Sequence, residues 1–408
     1  MENISCIGID ITTEYVQLAY AVKLDDEAES MSISTDEKKY LIPAVMYHRK
    51  ANDTWYIGEE AKFVSSGEGG QVSEIKDFTI FFRCLFETAK NILGIDRAQM
   101  ICVTSDRQDI KYIDGLYDAL KANGYEKDKV RIINHEEAFI YYTISQKKEL
   151  WVNDVVLMDF TKEHFVYKSL QRGKIEGGSA LAVDNRELSG EIYYEMLSSD
   201  IGRAKADNNL LEFLKPELKK HIVSSIFLTG EGFYDDWAKE SIREMCSRRR
   251  VFKGYNLYVK GACQAAKEKA GYPVWDKEYK LLCEGRTKAE LGLVISNGND
   301  DATVLLSKSG VNWIEAGAIA YCIVDNTNEI DIVVTDAVDR KKIYKKIDIS
   351  GLKVRDNKTN RIEISIAYLN EDEFDVIVKD TGFGEFFKPS DTVITERISV
   401  KAILEAEE

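Results

Sequence analysis

Apolar and polar residues alternate in steps of two through the opening of the chain. The runs Ile4 to Ile9, Val16 to Val22, Met31 to Ser34 and Leu41 to Tyr47 predict a β-meander. Spacing by three and four begins only near Glu74, where Ile75, Phe78, Phe81, Phe82, Leu85 and Ala89 mark one face of an amphipathic helix. Short strands and helices then take turns: strands at Met100 to Val103 and Val130 to Ile133, helices at Asp109 to Asn123 and Glu136 to Ser145. A second hairpin is expected from Val155 to Met158, ending in Asp159, with Phe165 to Leu170 returning. Ile175 to Leu181 reads as a further strand, and Glu187 to Ala206 and Leu210 to Lys220 read as helices. Strands alternating with helices imply an α/β layer fold with covered sheet faces.

The pattern changes after a helix at Leu257 to Lys269, which Gly271-Tyr272-Pro273 stops. Beyond it only strands recur, among them Ile332 to Val334, Ile362 to Ala367, Phe374 to Val378 and Thr395 to Val400. Turns rich in Asn, Asp and Gly separate them: "ISNGNDD", "DNTNE", "VRDNKTN" and "LNEDE". This predicts a β-sandwich. The expected division is an α/β domain over 1–275, with halves at about 1–148 and 149–275, a sandwich over 276–402 and a tail over 403–408.

At 408 residues and 44% hydrophobic, the chain is long enough for two or three cores. No stretch approaches the ~20 apolar residues of a membrane helix, and the amino terminus lacks a basic segment followed by an apolar run. The expectation is a cytoplasmic protein with no membrane partner. A formal net charge of -15 repels polyanions and argues against nucleic acid. Arg248-Arg249-Arg250 is read as a salt-bridged corner or solvated helix end. The seven cysteines, at 6, 84, 102, 246, 263, 283 and 322, form no Cys-x-x-Cys and are read as reduced core residues.

Three stretches carry the candidate chemistry. Two hairpins each have a strand ending in aspartate, Asp10 and Asp159, followed by threonines, Thr12 and Thr13 in one and Thr161 in the other. A third stretch, "IFLTGEGF" from Ile226 to Phe233, is an apolar strand running into Gly-x-Gly. Together they resemble the actin, hexokinase and Hsp70 superfamily. The segments "WYIGEEAK" (Trp55 to Lys62), "VRIINHEEAFIYY" (Val130 to Tyr142) and "YVKGACQAA" (Tyr258 to Ala266) are similar, in order and spacing, to the Hsp70 nucleotide-binding domain. "ELGLVI" (Glu290 to Ile295) and the stretch from Gly351 to Glu385 resemble the peptide-binding β-sandwich of Hsp70. "GVNWIEA" (Gly310 to Ala316) and "RRVFKGYNLYVKGAC" (Arg249 to Cys263) are similar to segments of Hsp70-like (DnaK-like) proteins of Firmicutes.

The resemblance implies a duplicated, ribonuclease H-like core of the actin ATPase type, followed by an Hsp70-type sandwich. It also implies loops whose amides surround phosphates and two aspartates that hold magnesium through water. Asp10 and Asp159 are then the metal residues, if Mg binds. The vestigial nucleotide cleft comprises Asp10, Thr12, Thr13, Asp159, Thr161, Gly230, Glu231, Gly232 and Gly261. The departures lie in the same loops. Thr12 stands where the family has glycine, Thr161, Lys162 and Glu163 replace three consecutive glycines, and His164 replaces a threonine. Glu231 replaces the second glycine of the adenosine loop. His135 falls on the family's catalytic glutamate and Glu136 on a proline, so no residue is assigned a catalytic role.

Side chains in a left-handed turn cost on the order of 1–3 kcal/mol each, so these replacements reshape the turns. Glu14 and Glu163 add carboxylates beside any polyphosphate. The outer lobes are expected to be cut down, because only a short segment separates "GEEAK" from the helix near Glu74, and "IGRAKADNN" (Ile201 to Asn209) is a faint echo of a lobe helix. With only "KAILEAEE" after Val400, a sandwich without a helical lid is expected. The aromatics of "DTGFGEFFKP" (Asp380 to Pro389) are read as bracing the sandwich's end, with a binding surface as the other reading. The expected function is a pseudo-chaperone or interaction scaffold with a protein or peptide partner, no cofactor and no ATP hydrolysis. The competing reading is a weak Mg-ATP/ADP-dependent chaperone with His135 standing in for the base.

Overall fold

The computed structural model describes residues 6–34, 39–94, 96–176, 178–275, 279–297, 300–325, 327–352, 355 and 359–405. The fold is mixed α/β, and the chain divides into two compact units. One comprises Met1–Arg172 with Val183–Lys277, the other Gly173–Ala182 with Glu278–Glu408.

Two sheets of the first unit repeat one plan. In the first half the strands along the sheet's path are, in chain order, Cys6–Ile11, Tyr15–Ala21, Glu29–Ser30, Met100–Thr104 and Val130–Ile133, with Ile42–Pro43 pairing Tyr15–Ala21 off that path and Val45–Arg49, Thr54–Ile57 and Ser73–Glu74 forming a separate small sheet. In the second half they are Asp154–Phe160, Phe165–Ile175, Gly178–Glu187, Val223–Thr229 and Arg250–Lys253. The second of these belongs to this unit through Arg172 and the third from Val183 onward. Counted within each half, both sheets run 3-2-1-4-5. In each, strands one and two form an antiparallel hairpin, and strands one, four and five are parallel. Parallel strands need covered faces. The helix Leu257–Lys269 covers the first sheet so closely that a Cβ on Gly8 would stand 2.4 Å from the Val259 carbonyl oxygen and the Cys263 nitrogen. The same helix packs on His135–Ser145, where a Cβ on Gly261 would meet the Ala138 oxygen at 1.9 Å. The second sheet is filled by Phe160, Phe165, Phe233 and Trp237, stacked or edge-on to one another.

The second unit is a sandwich of two four-stranded antiparallel sheets. One has the order Asp300–Ser307, Ala289–Asn297, Glu329–Asp336, Lys342–Asp348, and the other Ala318–Val324, Asn360–Tyr368, Glu373–Asp380, Val393–Ser399. Alternating inward residues, including Leu291, Ile332, Ile347, Ile364, Phe374 and Val376, form its core. Arg355 and Asp380 make a buried bidentate pair, and Asp380 also accepts the Gly382 and Ser390 amides at 2.9 Å.

Several elements differ from expectation. The helix expected from Glu74 begins at Phe78, because Asp77 caps it by accepting from the Thr79 and Ile80 amides. Ser73–Glu74 is instead a short strand. The two helices read between Glu187 and Lys220 are one, Asp200–Lys220, capped by Ser199 and containing Pro216. Residues Gly178–Glu187 are strand. The run near Met31 is strand only at Glu29–Ser30. Val400 opens a short helix, Val400–Glu405, whose first amides bond Asp372 and Ser399. In "DTGFGEFFKP" Phe386 is 92% exposed, unlike the bracing role read for these aromatics, while Phe383 and Phe387 join through a main-chain bridge.

Four cysteines are buried, but Cys246 is exposed and Cys84 and Cys322 half-buried, so the all-core reading is too simple. Arg250 pairs with Glu149 at 2.7 Å and Arg249 donates to backbone carbonyls, the structured corner expected there. The turns quoted at 295–301, 325–329 and 354–360 lie partly outside the described residues, as do Ile4 and the tail from 406. Among the described residues, no helix is long and apolar enough to cross a membrane.

Candidate functional site

The site lies within the first unit, where its two hairpin turns face each other. Strands one and two pair through Ile11 with Val16 in the first half and Phe160 with Phe165 in the second. The turns are therefore Thr12–Tyr15 and Thr161–His164, and they are built alike. The Thr12 amide donates to the Tyr15 oxygen at 3.0 Å, while the Tyr15 amide donates to Thr12 Oγ1 at 3.1 Å. The Thr161 amide donates to the His164 oxygen at 2.8 Å, and the His164 amide to Thr161 Oγ1 at 3.1 Å. In both, a threonine hydroxyl replaces a main-chain carbonyl as turn acceptor. No residue of either turn has a positive φ; among described non-glycine residues only Asp53, Arg248 and Arg340 do.

The second turn has no amide to spare. Glu163 donates to Thr161 Oγ1 at 3.2 Å, and Lys162 donates to Glu231 Oε1 at 2.8 Å. A carboxylate oxygen from the Gly-Glu-Gly loop thus occupies a donor that a phosphate-binding turn must offer. The turns are also tied to each other: Lys162 Nζ lies 2.5 Å from Glu14 Oε1, and Thr13 donates to Glu163 at 3.2 Å. Glu14 and Glu163 are therefore consumed in this clasp.

Beneath the turns the two aspartates have separate partners. His135 is the first residue of its helix, whose Asn134 cap and Glu137 form a reciprocal capping box. That places His135 Nε2 2.8 Å from Asp10 Oδ1. The Tyr258 ring stacks on the imidazole with centroids 4.1 Å apart and 5° between planes. Its hydroxyl donates to Asp159 Oδ2 at 2.6 Å, and His164 Nε2 lies 3.7 Å from the same oxygen. Burial opposes charge on His135, but Asp10, with Asp106 and Asp159 beyond it, outweighs burial and raises the imidazole above its ordinary value. Burial pushes Asp10 up while His135 pulls it back. Burial acts the same way on Asp159, yet His164 and the Tyr258 hydroxyl hold it below the usual carboxylate range. His164 is raised, chiefly by its contact with Asp159.

The remaining space is a cavity of about 40 Å³ lined by both turns, Asp106, His135, Asp159, Glu231 and Tyr258. That admits a few waters, whereas ligand pockets run to roughly 300–1,000 Å³. The residues present therefore do not fit a magnesium nucleotide. A triphosphate must displace the Glu231 carboxylate, open the Lys162–Glu14 pair and find donors that the turns already use. A larger cavity of about 240 Å³ adjoins the first turn on the side of Ser105, Asp106, Arg107 and Phe78.

The structure brings together Asp10, Thr12, Thr13, Asp159, Thr161, Glu231 and His135. The glycines are placed otherwise. Gly230, at φ +89°, lies where a Cβ would meet the Phe160 carbonyl oxygen at 2.2 Å, Gly232 where a Cβ would meet the Phe160 ring, and Gly261 where a Cβ would meet the neighbouring helix. Sequence reasoning missed Tyr258 and the donor role of Lys162. Tyr258 lay within a quoted segment, at the start of a helix, but an aromatic there also reads as core.

Residues 64–284 match the model described as Family of unknown function (DUF5716) C-terminal, and residues 286–400 match Domain of unknown function (DUF8552). No curated protein matches the sequence.

Proposed function

We propose that this chain, which belongs to the DUF5716 family of unknown function, is a scaffold of the actin, hexokinase and Hsp70 superfamily whose nucleotide cleft is filled by its own side chains. It acts through protein contacts, as a pseudo-chaperone without ATP hydrolysis. The observation that carries this reading is the occupancy of the second turn: all four amides from Thr161 to His164 bond groups of the chain itself. Phosphate binding by such turns depends on amides left open.

The duplicated 3-2-1-4-5 sheets, with Asp10 and Asp159 on corresponding first strands, support the superfamily assignment. The two-sheet sandwich after it supports the Hsp70-like arrangement. In this reading His135 and His164 supply the positive charge that the two buried carboxylates need, a role the superfamily gives to a hydrated metal. Fixed internal pairs of this kind hold one conformation, which suits a scaffold better than a cycling ATPase.

Thermal denaturation with and without millimolar Mg-ATP tests the reading. A ligand that binds the folded state raises its melting temperature in proportion to the logarithm of its concentration over Kd. No shift is expected. A clear rise that disappears in Asp10→Ala contradicts the proposal and supports the nucleotide-dependent chaperone.

A further inference from the structure

The sandwich has four edge strands, and three of them carry charge. Lys342–Asp348 has Lys342, Lys345, Lys346 and Asp348, Val393–Ser399 has Glu396 and Arg397, and Asp300–Ser307 opens on two aspartates. Charges on an edge oppose the addition of another strand. The fourth edge, Ala318–Val324, reads Ala-Ile-Ala-Tyr-Cys-Ile-Val with no charge, proline or bulge. It pairs with Asn360–Tyr368 on one side, and among the described residues no strand pairs on the other. Its outward side chains are apolar and open: Ile319 is 65% exposed, Tyr321 56% and Ile323 52%. An uncharged, unpaired edge of this length is a liability unless something covers it.

We propose that a second copy of this chain docks there, the two strands pairing antiparallel about Tyr321 and joining two four-stranded sheets into one. The argument is the near-palindrome of the strand. In a two-fold antiparallel pair centred on Tyr321, Ile319 faces the partner's Ile323, Ala320 faces its Cys322, and Ala318 its Val324. Every cross-strand pair is then apolar, and the three exposed side chains form one continuous stripe with their copies. Moving the centre to Cys322 sets Ile319 against Asp325, and moving it to Ala320 sets Ile323 against Gly317. Only the register at Tyr321 sets each of the three against another apolar side chain. The central ring is already held in place, its hydroxyl donating to Glu363 at 2.8 Å and the Arg361 guanidinium lying 5.2 Å over its face. Little side-chain freedom is left to lose on docking. The contact is isologous, so it closes at two copies and removes the edge instead of extending it.

The mass of the full-length protein in solution, by sedimentation equilibrium, is the first readout, and a dimer is expected. Ile319→Lys and Ile323→Lys change positions exposed in the single chain, so each is expected to halve the mass while leaving the far-UV circular dichroism spectrum of the folded subunit unchanged. In a Cys246→Ser background, Tyr321→Cys places the two new thiols directly opposite, within the roughly 4.4–6.8 Å Cα separation a disulfide spans, and mild oxidation is expected to cross-link it. Ile319→Cys faces residue 323 of the copy and is expected not to cross-link. A monomeric wild-type protein overturns the proposal, as does a dimer that survives both lysine substitutions or cross-links equally through position 319. Saturable capture of an added extended peptide by a monomer at this edge also overturns it.

Discussion

The Glu231 carboxylate accepts the backbone amide of Lys162 at 2.8 Å, across 69 residues of sequence. This one bond joins the Gly-Glu-Gly loop to the second hairpin turn and uses the donor that a bound phosphate would need. Around it, Lys162 Nζ reaches Glu14 and Thr13 reaches Glu163, so the space between the turns is closed by the chain's own groups. The following consequences can be measured.

The Lys162–Glu14 pair is about half exposed on both sides. Exposed pairs contribute roughly 0–1 kcal/mol and are screened by salt. A double-mutant cycle with Lys162→Ala and Glu14→Ala should give a coupling of that size in chemical denaturation, falling as salt is added. A coupling unaffected by salt would contradict a solvent-screened clasp.

Tyr258 gives its hydroxyl proton to the buried Asp159 carboxylate. Tyr258→Phe keeps the ring on His135 but leaves the carboxylate one donor short, a loss of about 1–3 kcal/mol. It also lets the folded value of Asp159, now held low, move up. A depressed carboxylate contributes stability that is present above its ordinary value and is lost as pH falls through its folded value. Acid unfolding of the variant should therefore begin at a higher pH than that of the wild type, as followed by circular dichroism.

His164 is raised by its contact with Asp159. Its contribution is complete below the unfolded value of about 6.5 and fades as pH rises through the higher folded value. The melting-temperature difference between wild type and His164→Asn should be greatest at mildly acidic pH and shrink toward alkaline pH. A difference that grows with pH would rule out the charged form.

Gly261→Ala places a Cβ 1.9 Å from the Ala138 carbonyl oxygen. Two backbones must then part, and overpacking of this kind costs about 1–3 kcal/mol or more. A lowered midpoint in denaturant, with the same substitution harmless at the open position Gly115, would locate the effect in helix contact.

In the second unit, Arg355 and Asp380 are 4% and 2% exposed at their side chains. Removing one partner of a buried pair costs roughly 3–5 kcal/mol. Asp380→Ala also abandons the Gly382 and Ser390 amides. It should lower the melting transition of the sandwich far more than Asp375→Ala, whose partner Arg397 is exposed.

Local pattern made much of this readable from the sequence, and distance in sequence hid the rest. Period-two runs ending at Asp10 and Asp159 marked both hairpins, and the strand Val130–Ile133 and the helix Leu257–Lys269 were found at their bounds. The helix after Glu74 was begun too early because Ile75 continues the apolar spacing, whereas the Asp77 cap decides where the first turn forms. The steric argument that threonines and charged residues reshape the turns identified where the change lies. It could not show that Thr12 and Thr161 close them by the same hydroxyl bond. Nor could it find Glu231 on Lys162 or Tyr258 on Asp159, because those partners meet only when two parallel strands and a helix have assembled.

Titration calorimetry of the full chain with Mg-ADP and Mg-ATP tests the filled cleft most directly. The account predicts no saturable heat from either nucleotide. One-to-one binding that is lost in Asp10→Ala would contradict it.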